Sequence, residues 1–298
     1  MLNKPIEVFE FPTNLGLRRK VDEVEPGVKA LPKWLKYHGF YEALGIDTVY
    51  GLPAPFYSME YNLKTGMLNE NQVIEFAERQ ALLLGKHLRT DTFKLLIGGD
   101  CSILIGAALA LKKKGSYGLF FVDGHTDFIT PSLSKTGGIA GMDLAIAAGL
   151  GEEAITNIDG LKPYVQEDHI FCVGNREFDR SYIAPILDSK IHYFDLNRAR
   201  SMGAAKIVDA FLKMVEEKFL DGFFIHLDVD VINDELMPVV DSRAEDGFTY
   251  EELAPLLQPL LHHSMCIGME ITILDPSLDE NGVYTKRFID FFLSLLEE

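Results

Sequence analysis

The chain has 298 residues, 47% of them hydrophobic, and carries a formal net charge of −17 at pH 7. Its length and apolar content suit one large α/β domain, and we expect a single domain over residues 1–298. The acidic balance argues against nucleic acid and anionic membranes as partners, because both require a basic face.

Three sequence features bear on cellular location. No apolar run reaches the roughly 18 residues that a membrane-spanning helix needs. The first residues lack the pattern of a signal peptide. Cys101, Cys172 and Cys266 are odd in number and far apart, so a disulfide framework is not expected. Together these features predict a cytoplasmic protein.

Apolar runs alternate with segments of helical periodicity along the chain. The predicted strands cover residues 6–11, 47–51, 93–97, 117–122, 168–173, 191–194, 223–229 and 266–273. The predicted helices cover residues 34–44, 69–88, 103–114, 143–150, 181–187, 204–219, 250–262 and 286–296. This alternation predicts a three-layer α/β/α sandwich with a doubly wound parallel sheet of about eight strands. Ligands of such sheets bind at the carboxyl ends of the strands.

The predicted strand at 117–122 is followed by three potential metal ligands. Asp123, His125 and Asp127 alternate along the chain, and alternate residues of an extended segment share a face. They would therefore converge on one point if the extended geometry continued beyond the strand. The alternative is a polar turn in which the aspartates cap backbone groups.

A second predicted strand, at 223–229, also ends in paired carboxylates. Asp228 and Asp230 point the same way in an extended segment. Buried charges without partners are strongly disfavoured, and a dication between the two strand ends would remove that cost. The glycine corner at 98–99 and Glu270 in the last strand bring further polar groups to the same edge of the sheet.

Four motifs, in this order, together resemble the ureohydrolases, the family of arginase, agmatinase and formiminoglutamase. They are Gly-Gly-Asp-Cys-Ser at 98–102, Asp-Gly-His-Thr-Asp at 123–127, His-Leu-Asp-Val-Asp at 226–230 and Met-Glu-Ile at 269–271. The resemblance runs from about residue 45 to the C-terminus. It implies a doubly wound sheet of eight strands and two Mn²⁺ ions bridged by hydroxide, which attacks the electrophilic carbon of a guanidinium or amide.

The resemblance also implies a set of metal ligands. Asp123 and Asp228 would bridge the two ions, and residue 101, which is histidine in the family, is cysteine here. As a thiolate, Cys101 would bind a softer metal such as Zn²⁺ or Fe²⁺. As a thiol, it would leave its site weak or empty. The full implied set is Cys101, Asp123, His125, Asp127, Asp228 and Asp230.

Further residues are assigned to the substrate by the same resemblance. Glu270 and Asp127 are the implied catalytic residues, and Glu270 would pair with the guanidinium of the substrate. Alternatively, Glu270 supports the metal ligands from behind. Glu177 and Asp179 would hold a cationic substrate tail or, in the alternative, face solvent.

Two more departures from the family concern polar positions. Gly138 and Ala140 stand where arginases carry asparagine and histidine, which argues against arginine as the substrate. Asp143 would replace some of the lost polarity or cap the helix that follows it. His226 occupies a serine-like position, where we expect a core histidine bonded to the backbone or a contact behind the ligands.

These observations predict a metal-dependent hydrolase of a C–N bond in a guanidino, amidino or formimino compound, with urea as the product. The expected cofactor is Mn²⁺, two ions per chain, with Zn²⁺ or Fe²⁺ as alternatives because of Cys101. The alternative function is a non-catalytic or single-metal member of the fold that acts as a binding protein or amide hydrolase. The expected partner is a small cationic guanidino or amidino substrate, and the resemblance implies a homo-oligomer, a trimer or hexamer.

Overall fold

The computed structural model describes residue 2 and residues 4–297. Within these residues, eight strands form one sheet, and every pair of neighbours is parallel. The strands are β1 Ile6–Phe11, β2 Val49–Gly51, β3 Phe93–Gly98, β4 Tyr117–Val122, β5 Ile170–Asn175, β6 His192–Asp195, β7 Gly222–Asp228 and β8 Cys266–Thr272. Their order across the sheet is β2-β1-β3-β8-β7-β4-β5-β6.

Helices cover both faces of this sheet. They are α1 Leu31–Tyr37, α2 Phe40–Ala43, α3 Glu70–Gly85, α4 Ile103–Lys112, α5 Asp143–Ala147, α6 Glu153–Thr156, α7 Arg180–Leu187, α8 Leu196–Met202, α9 Ala204–Glu217, α10 Tyr250–Leu261 and α11 Val283–Leu295. The buried side chains of α3–α7 form one core with the sheet, and those of α1, α2 and α8–α11 form the other. The predicted three-layer sandwich is therefore confirmed.

The central strands lack polar–apolar alternation because both of their faces are covered. Every residue of β3, β5, β7 and β8 is buried. This is the pattern expected of parallel strands between two helical layers. None of the described helices is long and apolar enough to span a bilayer.

Three helical segments differ from the sequence prediction, and one of them is the short helix α6, which was not predicted. The helix expected at 34–44 is divided into α1 and α2, because Gly39 adopts a left-handed conformation with φ of 81°. Helix α8 was not predicted. It begins after Asp195, whose side chain accepts a hydrogen bond of 2.8 Å from the backbone N–H of Arg198.

Register across the sheet aligns three polar and aromatic side chains in a row. Glu270 on β8 is paired with His226 on β7, and His226 is paired with Phe121 on β4. Paired residues of neighbouring strands point to the same face. Phe121 and His226 lie two residues before Asp123 and Asp228 in the chain. The row therefore lies directly beneath these predicted metal ligands, on the same face.

Candidate metal centre and substrate cavity

The carboxyl ends of β3, β8, β7 and β4 are neighbours in the sheet. Each is followed by polar residues, so side chains distant in sequence meet at one edge. After β4 come Asp123 and His125, and at the end of β7 stand Asp228 and Asp230. The sheet thus brings the two predicted acidic strand ends together.

Asp123, His125 and Asp230 form a close group. The His125 Nδ1 lies 3.0 Å from Asp230 Oδ2 and 3.7 Å from Asp123 Oδ1. Backbone amides hold the carboxylates in place: Gly124 N–H donates to Asp230 Oδ1 at 3.0 Å, and His125 N–H donates to Asp123 Oδ1 at 2.6 Å. One ligand atom from each of the three side chains lies within 4.8 Å of the others, which suits a single cation.

Asp228 is fixed by two hydrogen bonds. Its Oδ1 accepts from the backbone N–H of Asp230 at 2.7 Å, and its Oδ2 accepts from the Cys101 thiol, with Sγ at 3.0 Å. The Cys101 Sγ also lies 3.1 Å from Thr272 Oγ1 at the end of β8. Cys101 therefore lies among the predicted ligands, as the sequence suggested.

A second close group contains a residue that the sequence argument left out of the ligand set. Cys101, Asp123 and His226 are all buried and each offers a ligand atom within 4.8 Å of the others. Of the two roles expected for His226, the bond to the backbone is not seen in the described structure, and the contact behind the ligands is. Its Nδ1 lies 2.6 Å from Glu270 Oε1, and its Nε2 lies 3.9 Å from Asp123 Oδ2.

Asp127 stands apart from both groups among the described residues. The backbone leaves the extended conformation after β4, and Asp127 itself has a φ of 42°. The expected convergence therefore holds for Asp123 and His125, while Asp127 points into the cavity above them. Burial raises the pKa of the Asp127 carboxyl well above its usual range, and the nearby Asp123 carboxylate adds to the shift.

The electrostatics show an excess of negative charge. Burial raises the pKa of Asp228 well above its usual range, and the Asp230 and Asp123 carboxylates raise it further. Burial opposes ionisation of Asp230 too, but the positive charges of His125 and Arg176 outweigh burial and lower the pKa of Asp230 below its usual value. Burial lowers the pKa of His125, yet Asp230 and Asp123 more than reverse that and raise it well above normal. A divalent cation would neutralise these carboxylates and favour their ionised forms.

The donor chemistry and the unsatisfied atoms fit a bound cation. Asp123 Oδ2 and His226 Nε2 are buried and have no hydrogen-bond partner within the described chain. Unpaired buried polar atoms are costly, and an ion between them would satisfy both. Asp123, His125, Asp228 and Asp230 supply carboxylate and imidazole donors, which Mn²⁺ and related ions accept.

A cavity of about 180 Å³ opens above these residues. Of the predicted site residues, its wall includes the following: Cys101, His125, Asp127, Glu177, Asp228 and Asp230. Asp241, Ser242 and Tyr182 also line it and were not predicted. They come from loops and from α7, where sequence periodicity gives no guide to direction.

Glu270 does not line this cavity in the described structure. Its side chain is completely buried on the face of the sheet that carries His226 of β7, and its Oε2 has no described partner. In this structure the carboxylate faces the His226 imidazole and not the open space, and its contact with a substrate guanidinium stays a prediction. Ile273, directly after β8, lines the cavity instead and has a φ of 75°.

Asp179 and Asp143 also lie outside the described cavity wall. Asp179 caps α7 by accepting from the Ser181 N–H at 2.9 Å, and it pairs with Lys135 at 3.2 Å. The structure thus gives Asp179 a capping role, and its contact with substrate stays a prediction. Asp143 is buried at the first position of α5, one residue after the N-cap Met142, so the capping hypothesis is wrong. Burial and the Asp127 carboxylate raise the pKa of Asp143 well above its usual range.

Arg176 is a further residue that the sequence argument missed. It is buried, and its Nη2 donates to the backbone carbonyl of Asp230 at 2.7 Å and to that of Ala244 at 3.2 Å. It thereby ties the turn that carries Asp230 to the loop before α10. Its position directly after β5 is the available signal, since β5 is next to β4 in the sheet.

The fold and the site together define an α/β protein with a metal-competent, acid-lined cavity at the carboxyl edge of a parallel sheet. A sequence model described as the Arginase family matches residues 33–294, and the chain belongs to that family. Its members are hydrolases that act on C–N bonds in linear amidines.

Named relatives match over almost the whole chain. An arginase from Bacillus subtilis is 26% identical over 99% of this chain and 98% of its own length, and one from Bacillus caldovelox is 27% identical over 99% of each. A crystal structure of the Bacillus subtilis arginase aligns with a TM-score of 0.84, at 26% identity and 99% coverage of both chains. A formimidoylglutamase structure from Bacillus subtilis aligns at 18% identity with a TM-score of 0.70, covering 99% of this chain and 87% of that one, which shows a shared fold.

Proposed function

We propose that this arginase-family hydrolase cleaves a C–N bond in a small cationic guanidino, amidino or formimino compound, with urea as the product for a guanidino substrate. Divalent metal ions, Mn²⁺ in the first instance, are the proposed cofactor. The convergence of Asp123, His125, Asp228 and Asp230 beneath an acid-lined cavity carries this proposal.

The residues at the cavity floor would hold the ions. Asp123, His125 and Asp230 form one seat, and Asp228 lies beside them with one oxygen bonded to Cys101. When bound, the metal would supply Lewis-acid activation of a water molecule at neutral pH. Arg176 and the backbone amides of the β4 turn would keep the carboxylates in position, and this preorganisation limits the reorganisation that the reaction requires.

Substrate selection would rest on the upper wall. Glu177 and Asp241 both line the cavity and would attract a cationic tail. Gly141 and Ala140 line the same wall and carry no polar side-chain group there. The wall therefore offers acceptors for a cation, and at position 140 it has alanine where the resemblance implies histidine in arginases, which favours a substrate other than arginine.

A substrate panel on metal-loaded protein tests this function. Agmatine, L-arginine and formiminoglutamate would be supplied separately, and urea and ammonia release would be measured. We expect turnover of a cationic amidine and its loss in Asp228→Asn, since Asp228 is one of the cavity-floor carboxylates that would hold the ions. Asp209→Asn, which removes an exposed acid from α9, is the matched control. Equal turnover in Asp228→Asn would refute the assignment of this site.

A second candidate function is a single-metal hydrolase or a binding protein on the same fold. It is favoured by the burial of Glu270 away from the cavity and by apolar Ile273 in the cavity wall. In that case the panel would give tight substrate binding by calorimetry without urea or ammonia release, and for the single-metal hydrolase an added acyl amine would be split into its amine and carboxylate, with the free amine measured. These outcomes separate the two candidates.

A further inference from the structure

Two buried atoms face each other beneath the cavity without a partner in the described chain. They are His226 Nε2 and Asp123 Oδ2, which lie 3.9 Å apart on side chains that are completely buried. The separation is too long for a hydrogen bond. It is shorter than the sum of two metal–ligand bonds of about 2.1 Å each, so a cation fits between the two atoms in a bent arrangement.

The third donor is the Cys101 sulfur. A ligand atom from each of Cys101, Asp123 and His226 lies within 4.8 Å of the others. In the metal-free structure the Cys101 thiol donates its proton to Asp228 Oδ2, with Sγ 3.0 Å away. Binding of a divalent ion would form the metal–sulfur bond and release that proton. The cavity that Cys101 lines gives the proton a route to solvent.

Glu270 sets the orientation of the histidine. Its Oε1 lies 2.6 Å from His226 Nδ1, and Phe121 stacks on the same ring with centroids 4.4 Å apart and planes 7° apart. A proton on Nδ1, donated to the carboxylate, leaves the Nε2 lone pair directed at Asp123. Histidines that bind metals are commonly held by a carboxylate on the other nitrogen in this way. The buried Glu270 thus has a positioning role that its missing contact with the cavity left unexplained.

We propose that His226 is a metal ligand, and that it forms with Cys101 and Asp123 a second cation seat distinct in chemistry from the Asp123–His125–Asp230 seat. Asp123 belongs to both seats, with Oδ1 facing His125 and Oδ2 facing His226. The sulfur–nitrogen–oxygen set selects Zn²⁺, Fe²⁺ or Co²⁺ over Mn²⁺. The inference rests on the proposed metal dependence and adds the identity and preference of one seat.

Cobalt titration of metal-stripped protein tests the seat without relying on activity. Cobalt bound to a thiolate gives a sulfur-to-metal charge-transfer band in the near ultraviolet. We expect that band in the wild type and in Cys266→Ser, which alters a buried cysteine at the opposite end of β8. Cys101→Ser abolishes the band. His226→Ala and Glu270→Gln keep it but weaken Co²⁺ binding by about 10–100-fold, the range for loss of a ligand's support.

If a buried variant does not fold, X-ray absorption of the zinc-loaded wild type tests the same seat. One sulfur at about 2.3 Å and at least two imidazoles summed over the two seats are expected. A wild type that binds cobalt with no thiolate band overturns the inference, as does a folded His226→Ala protein with unchanged cobalt affinity. Ions bound without sulfur would leave the proposed function intact, whereas the absence of any bound ion would remove both.

Discussion

Lys94 on β3 permits a quantitative test of the fold away from the metal residues. Its side chain is 1% exposed, and its Nζ donates to the Thr92 carbonyl at 2.9 Å and lies 4.0 Å from Glu7 Oε2. Burial lowers the pKa of Lys94 to about 8, although the Glu7 carboxylate opposes the shift. An unfolded chain keeps its lysine protons up to about pH 10.4. Between these two values the unfolded state binds more protons, so raising the pH stabilises the folded state through this residue.

The size of the effect follows from the difference in pKa. A shift of about 2.5 units at about 1.36 kcal/mol per unit corresponds to roughly 3 kcal/mol, of which roughly 2.5 kcal/mol appears between pH 7 and pH 10. Lys94→Met removes the titrating group and keeps the length of the side chain. Relative to this variant, the wild type should gain roughly 2–3 kcal/mol of unfolding free energy over that interval.

Urea unfolding followed by circular dichroism at pH 7, 8, 9 and 10 would measure both proteins in the same metal-free buffer. Lys206→Met, at an exposed position of α9, controls for the change in net charge and should run parallel to the wild type. Parallel curves for wild type and Lys94→Met would refute the reasoning, because they would show that burial does not perturb this lysine.

The remaining predictions concern the cavity and the local structure. Glu177→Gln should raise KM for a cationic substrate about tenfold with little change in kcat, while Asp179→Asn, outside the described cavity wall, should leave KM unchanged in steady-state assays. Thr249→Ala removes a capping box and should cost about 1 kcal/mol in urea unfolding. Gly99→Ala should cost at least about 2 kcal/mol, because its Cβ would lie 1.7 Å from a backbone carbonyl oxygen, whereas Gly85→Ala, with open space around it, should not destabilise the chain.

The ligands at the strand ends could be predicted because their direction follows from simple geometry. Parallel strands end at one edge of the sheet, so Asp123 and Asp228 had to meet wherever β4 and β7 became neighbours. The apolar runs before them also fixed the strand bounds, and β4 was predicted at the residues where it lies. The same geometry does not place Asp127, because the backbone leaves the extended conformation before that residue.

The residues behind the ligands depend on pairings that the sequence does not reveal. His226 and Glu270 belong to strands separated by about forty residues, and their contact exists because β7 and β8 pair in one particular register. A shift of one residue would turn Glu270 to the other face of the sheet. The motif that suggested a substrate contact for Glu270 did not reveal that its side chain contacts His226.

The cavity wall was the least predictable part. Asp241 lies in a loop and is held there by an ion pair with Lys20 at 3.2 Å, a contact across more than two hundred residues. Ala140 was recognised as a loss of polarity, but the positions of Asp241, Ser242 and Tyr182 in the same wall could not be located from the sequence. Loop conformation follows from such long-range contacts and not from local periodicity.

The central claim is that the acidic strand ends form a metal centre of two seats sharing Asp123. Metal content per chain, measured by plasma mass spectrometry after loading with Mn²⁺ and separately with Zn²⁺, tests it most directly. We expect two ions per chain in the zinc-loaded wild type and fewer than one in Asp123→Ala, with both proteins shown to be folded by circular dichroism. A folded wild type without bound metal, or an Asp123→Ala protein with unchanged stoichiometry, would contradict it.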